Sequence, residues 1–410
     1  MIGRRHVFHI GGYDPITPEK QLERFRLSLS RFERTWNVSS RTSEIAHATD
    51  ASSSWEVHAW GPNWTTRVTF EILRWDDLVL ADSRRGMLSR LYHSTLTLFD
   101  FVANGTLFRY FLGNWKYAVF FIFPYVSIAI FGLGSAVMAY ALTQQLGVAG
   151  LWAAVFGIFI AVLTYTALIH WLDPRRRIKH ALDDAIFSRQ FLRGQRPGME
   201  TRIDNFASRI LDRVHKDDVD EIVIVGHSLG AAMAIAAVAR GLKHDPQFAE
   251  HGPPLCVLTV GATIPKFSLH PKGEQFRQAA RAVANKIPIQ WVEYQARDDV
   301  ISFYRFDPVS LKRASRNGSD GRPNIRRVQM HSMMNAASFR RHRFNFMRLH
   351  YQFLMGNDLR AAYDYCMITC GPLEFDKITA PAGGVAFFQA DGAITERLTP
   401  PYYRLKFRAA

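Results

Sequence analysis

Glu221–Arg240, EIVIVGHSLGAAMAIAAVAR, restricts what this chain can fold into more tightly than any other stretch. Ile222 to Val225 are apolar and β-branched, the pattern of a strand buried on both faces of a parallel sheet. From Ala231 to Arg240 the residues are alanine-rich helix formers, so strand must turn into helix across Gly226-His227-Ser228-Leu229-Gly230 alone. A turn that abrupt leaves no room for a Cβ two positions before and two positions after its tip, which is where the glycines stand. It lifts Ser228 onto an exposed tip above a helix N-terminus. The Ser228 Oγ is then a candidate nucleophile, and the Leu229 N–H a candidate oxyanion donor. The plainer alternative is a serine that only caps the helix.

With this G-H-S-L-G elbow between strand and helix, the sequence resembles the α/β-hydrolase superfamily, in particular its lipase and esterase branch. The resemblance implies a mostly parallel sheet flanked by helices and triad members in the chain order Ser, then Asp or Glu, then His. It covers two separated parts of the chain. The first holds His6 to Ile10, a strand-like run followed by Gly11-Gly12-Tyr13-Asp14-Pro15. Many relatives in that superfamily place the second oxyanion N–H after such a strand, often in a His-Gly-Gly sequence. Here Ile10 separates His9 from the glycines, and Gly12 or Tyr13 is the expected donor, against a plain Gly-Gly turn.

The second part runs past the elbow through a strand at Leu255–Val260 and a helix at Glu274–Asn285 to a strand at Ile287–Tyr294. Its exit, Gln295 to Ile301, carries Asp298 and Asp299, and the resemblance puts the triad acid at the end of a late strand. Asp299, followed by Val300 and Ile301, fits the lipase-like pattern better; Asp298 is the alternate. Neighbouring side chains point apart, so only one of the two can meet the base. Three histidines follow in the required order. His342 sits between Arg341 and Arg343, whose charge depresses imidazole basicity. His350 lies among Leu349, Tyr351 and Phe353, and a histidine followed closely by an aromatic residue recurs near the end of related hydrolases. His350 is therefore the expected base, with His331 the alternate.

Between the two parts lie Tyr117–Leu142, with no charge, and Val148–Leu172, whose only ionisable group is His170. Each is about 25 residues, enough to cross a hydrocarbon core of roughly 30 Å, and the polar turn Thr143–Gly147 joins them. A transmembrane helical hairpin is expected, with Gly132, Gly134, Ser135, Gly150 and Gly157 available for close packing and tryptophans near the interfaces. Leu88–Asn114, rich in aromatic residues and leucine with few acids, suits a helix at a membrane interface. Arg109 and Lys116 precede the hairpin, and Arg175-Arg176-Arg177 with Lys179 follow it, which places both globular parts in the cytoplasm. The expected organisation is residues 1–114 and 174–360 as one hydrolase domain, 115–173 as the inserted hairpin, and 361–410 as a C-terminal extension.

Composition narrows the partners. Lysine and arginine total 51 against 36 acidic residues, a net +15, which favours an anionic neighbour. No zinc-type spacing, RNP-like run or long basic tail supports nucleic acid, so the bilayer is the expected partner. Cys256, Cys366 and Cys370 are too few and odd in number for a disulfide framework. Cys366 and Cys370 stand four apart without histidine nearby, Asp76-Asp77 has no second cluster, and neither a metal nor a cofactor is expected. Met1–Gly12 is too short and weakly apolar for a signal peptide. The expected activity is that of a membrane-anchored serine hydrolase acting on an ester or thioester, with lipid or acylated substrates suggested by location. The rival expectation is a non-catalytic membrane scaffold or signalling protein that keeps the same fold.

Overall fold

A computed structural model describes residues 1–49, 51–148, 150–315 and 321–395, with the backbone alone for 48–49 and 168–176. The chain divides into two compact units, one formed by Met1–Val79 with Arg196–Ala410 and the other by Leu80–Gln195.

The first unit is α/β. Strand β1 (Arg4–Ile10) and helix α1 (Pro18–Trp36) come first. Four strands follow: β2 (Ser39–Thr42), β3 (Ala46–Thr49), β4 (Ser52–Gly61) and β5 (Trp64–Leu73). After α2 (Asp76–Ser83) the chain leaves for the second unit, made of α3 (Met87–Ala103), α4 (Thr106–Gln145), α5 (Gly150–Arg176) and α6 (Ile178–Leu192). It returns with α7 (Pro197–His215), β6 (Glu221–His227), α8 (Leu229–His244), β7 (Leu255–Val260), α9 (Ile264–Ser268) and α10 (Glu274–Asn285). The last strands are β8 (Gln290–Ala296) and β9 (Asn324–Val328), followed by short helices α11 (Met330–Met333), α12 (Ala336–His342), α13 (Phe346–His350), α14 (Tyr365–Cys370) and α15 (Phe375–Ile378).

Among the described residues one mixed sheet holds all nine strands in the order β2-β4-β5-β1-β6-β7-β8-β9, with β3 also paired to β4. From β5 to β9 every pairing is parallel, and the antiparallel pairs are confined to the β2–β5 edge. Strand β6, between β1 and β7, has all seven residues buried, as its continuous apolar run requires. Helix α1 lays Leu22, Phe25, Leu29, Phe32 and Trp36 onto the sheet, with the Phe25 ring 5.4 Å from Trp55 and 4.7 Å from Phe70. The segment past Ala361 joins the same core through Tyr363, Tyr365, Cys366 and Cys370. At the N-terminal ends of the parallel strands, Arg5 and Glu221 form a buried pair at 2.8 Å, and Arg5 also donates to the carbonyls of Gly371 and Leu373. Arg404, Lys406 and Arg408 of the C-terminal extension lie outside the described residues.

In the second unit, α4 and α5 are long and apolar enough to cross a membrane. Helix α4 begins earlier than the charge-free run, and Asn114 (φ −155°, ψ 101°) interrupts it where the aromatic segment meets the apolar one. The small residues divide: Ser135 is buried and a Cβ on Gly157 would touch Thr143, whereas Gly132, Gly134 and Gly150 have open space. Only Gly157 and Ser135 thus serve close packing. Away from the apolar ends, Arg90 grips Asp183 through two hydrogen bonds of 2.9 and 3.0 Å, a buried pair that ties α3 to α6.

Candidate functional site

Gly226 and Gly230 explain why the chain can turn between β6 and α8. A Cβ on Gly226 would stand 2.5 Å from the Ala231 Cα, and one on Gly230 would stand 2.2 Å from the Ile10 carbonyl oxygen. Both distances are below any real contact, so only glycine fits. Between them Ser228 adopts φ 56°, ψ −124°, a region that a residue with a side chain enters at a cost of about 1–3 kcal/mol. Its backbone is held on both sides: the Ser228 N–H donates to the Val260 carbonyl at 3.1 Å, and its own carbonyl accepts from the Thr263 N–H at 3.2 Å. The hydroxyl makes no capping bond to α8, so the capping role is not what the side chain does.

The loop after β1 closes against this tip. A Cβ on Gly12 would lie 2.9 Å from the Ser228 Cβ, which puts the Gly12 backbone directly beside the serine. Trp75 Nε1 donates to the Gly11 carbonyl at 2.9 Å and packs edge-on against Tyr13, fixing the loop. Leu229 is buried at the first turn of α8.

At the C-terminal end of β8, Asp299 is buried and splits its carboxylate between two donors. Oδ1 accepts from the Ile301 N–H at 3.0 Å, and Oδ2 lies 2.8 Å from His350 Nδ1. His350, at the end of α13, is equally buried, and its Nε2 has no hydrogen-bond partner. Gly261 (φ 53°) makes room for this pair: a Cβ there would stand 3.1 Å from His350 Cε1 and 3.2 Å from Asp299 Oδ2. Gly261 follows Val260, the residue whose carbonyl holds the Ser228 N–H, so the exit of β7 links the serine tip to the His–Asp pair.

The structure therefore brings His350 and Asp299 together and sets Gly12 against Ser228. It makes no Ser228–His350 hydrogen bond. The alternates lie elsewhere: Asp298 turns away to accept from the Met330 N–H at 3.4 Å, and His331 is exposed on α11 beside Phe339. His342 is held below its usual range by partial burial and by Arg348, Arg341 and Arg31.

Two contacts escaped the sequence reading. His227, inside the elbow, packs its ring against that of His350, tilted at 42° with centroids 4.6 Å apart, and sets Nε2 3.3 Å from the His350 carbonyl oxygen. Burial drives its basicity well below the usual range, with His350 and His9 adding to the effect, so it stays neutral and donates through Nε2. His9 is pushed down to about 4 by burial. The second contact joins the hydroxyl of Tyr351 to the carboxylate of Asp14, which ties the His350 segment to the loop after β1. A histidine within the pentapeptide was the only available sign of the first, and nothing in sequence marked the second. Among the described residues no cluster of histidine, cysteine or acidic side chains fits a metal, and Cys256, Cys366 and Cys370 are free and buried. No protein-family model, curated protein or solved structure matches the chain.

Proposed function

We propose that the chain is a membrane-held serine hydrolase of the α/β-hydrolase type, cleaving ester or thioester bonds of lipid or acylated substrates. The observation that carries the reading is the strained Ser228 backbone, forced between two glycines at the end of a central parallel strand. The pairing of His350 with Asp299 supports it with a base and the acid that orients it. Ser228 Oγ attacks the acyl carbonyl while His350 Nε2 takes its proton, and Asp299 holds Nδ1–H and stabilises the imidazolium that forms. His350 then protonates the departing alcohol or thiol, and water cleaves the acyl-serine by the same steps in reverse. The Leu229 N–H and an amide at Gly12 or Tyr13 hold the oxyanion. The carboxylate bond to Nδ1 selects the tautomer whose Nε2 is a free acceptor, the state a base needs.

The helices α4 and α5 are read as a membrane hairpin, with the basic flanks and both globular parts on the cytoplasmic side. A substrate carried in a bilayer follows from that location.

One observation favours the scaffold reading: the Ser228 hydroxyl and His350 Nε2 are not bonded. Catalytic hydrogen bonds often tighten only with substrate present, so the gap does not exclude chemistry. Labelling with a fluorophosphonate probe separates the two. Wild type should label and Ser228→Ala, folded by circular dichroism, should not; an unlabelled wild-type protein would favour the scaffold.

A further inference from the structure

From Gly321 to Asn357 the chain carries seven arginines and no acidic residue. Arg322 donates to the Lys286 and Ile289 carbonyls and Arg326 and Arg327 lie in β9; the other four, Arg340, Arg341, Arg343 and Arg348, fall within one short stretch with His342. Helix α12 buries none of its residues, the turn after it exposes Phe344 at 73%, and the start of α13 exposes Phe346 at 40%. Arg343 lies over the Phe344 ring at 4.7 Å. A fifth arginine joins from α1, whose last turns pack on the segment after His350: a Cβ on Gly356 would meet the Arg31 Cβ at 2.8 Å, and the Ser28 hydroxyl donates to the Leu354 carbonyl.

These cations have no acidic hydrogen-bond partner among the described residues. Arg340 donates to the Ala336 carbonyl and Arg348 to the Gln352 side chain, while Arg31, Arg341 and Arg343 reach no carboxylate. Arg348 is half-buried, and partial burial and the charge of Arg31 both make its own charge costlier, with Asp358 only partly offsetting them. Five guanidinium groups with Asp358 as a partial counter-charge, beside exposed aromatic rings, match a surface of phosphates over a half-polar layer better than a protein face. Phosphate groups relieve the mutual repulsion, and the rings enter the headgroup boundary.

We propose that Arg31 and the Arg340–Arg348 segment form a docking surface for the phosphate headgroups of an anionic bilayer, with Phe344 as its apolar wedge. This rests on the reading of the chain as membrane-held and extends it from a hairpin in the bilayer to the headgroups that a surface of the α/β unit meets. His350 closes the helix that carries Arg348, so docking sets the candidate base next to the lipid layer.

The test places the full chain, with a polarity-sensitive fluorophore on Phe344→Cys, in nanodiscs of phosphatidylcholine alone or with added phosphatidylglycerol. The native cysteines are buried, which leaves position 344 as the labelled site. A blue shift is expected in the anionic discs only, lost at about 1 M salt, where screening shrinks to roughly 3 Å. It should also be lost in Arg340→Gln/Arg341→Gln/Arg343→Gln, whose side chains lie outside the core. Inorganic phosphate at the same phosphate concentration should produce none. An unshifted spectrum in anionic discs, or an equal shift in both discs, overturns the docking surface. A shift that single-stranded RNA produces and lipid does not assigns the surface to nucleic acid and also overturns it. If the chain does not enter discs at all, the hairpin reading fails instead, and the same fluorophore with added vesicles of the two compositions decides the docking surface separately.

Discussion

His350 is held at three points: by Asp299 at Nδ1, by His227 at its carbonyl, and by the bare α-carbon of Gly261 at its ring. Only Nε2 is left without a partner, the atom that a base must offer. His350→Ala should lower turnover of a short-chain nitrophenyl ester by several orders of magnitude, and Asp299→Asn by about 10⁴-fold through loss of the correct tautomer. Adding Ser228→Ala to His350→Ala should cost little more than either alone, because the groups act as one unit. His331→Ala and Asp298→Asn should keep most activity. Full activity in His350→Ala, or a severe loss in His331→Ala, would remove the assignment. At this scale the elbow was legible because steric exclusion at Gly226 and Gly230 is written in residue type. The preference for Asp299 over Asp298 had only the aliphatic Val300 and Ile301 to rest on, since adjacent carboxylates differ chiefly in the direction they face. The three-dimensional difference is plain: one meets His350 and the other the Met330 N–H. His227 went unnoticed because its partner is a backbone carbonyl 123 residues away, which no local pattern announces.

Elements with a continuous apolar run or an unbroken helical period were readable, and short or mixed elements were less so. Strand β6 and helix α10 stand within two residues of their expected bounds, because apolar runs and helical spacing persist without tertiary help. Strand β9, NIRRV, escaped: it pairs on one side only, and two arginines dilute its apolar signal. The contribution of residues after Ala361 to the core was equally hidden, since its helices are too short to show a period. Polar ties between elements were invisible for the same reason. Glu71 on β5 is one: burial pushes its carboxyl up, but hydrogen bonds from His6, Arg209 and Ser52 outweigh this and hold it at about 2. His6 is itself held down by burial, so the cationic partner is Arg209, at 2.7 Å. A carboxyl depressed on folding stabilises fully above its unfolded value, near 4.5, and loses that contribution as pH falls toward about 2. The sum is about 3 kcal/mol. Urea unfolding of wild type and Glu71→Gln should therefore differ most near neutral pH and converge between about pH 4.5 and 2. A gap that stays constant over that range would show that the pair contributes packing alone.

On the scale of the whole molecule, the apolar pair α4 and α5 stands out as long and apolar enough to cross a membrane. Absence of charge over two such runs is a coarse property, so it could be read from sequence alone; where the helix breaks could not, because Asn114 is unremarkable in composition. Leu133 (69%), Leu151 (79%), Trp152 (74%) and Ile158 (66%) all face outward, far more apolar surface than a water-facing helix pair tolerates. A third of the most apolar stretch of α4 is buried and none of that of α5, which distinguishes the pair from core helices of a soluble domain. If these surfaces meet lipid, the protein should stay with the membrane through high salt and alkali. The turn should then cross to the far side, since no charge between the helices opposes its passage. Gln144 is exposed at the end of α4, and the three native cysteines are buried. A cysteine at Gln144→Cys should thus react with an impermeant maleimide added outside intact cells, while one at the exposed Lys272→Cys should react only after the membrane is opened. Labelling of both positions from outside would reverse the orientation, and release of the protein by salt alone would mean that α4 and α5 pack against something other than lipid.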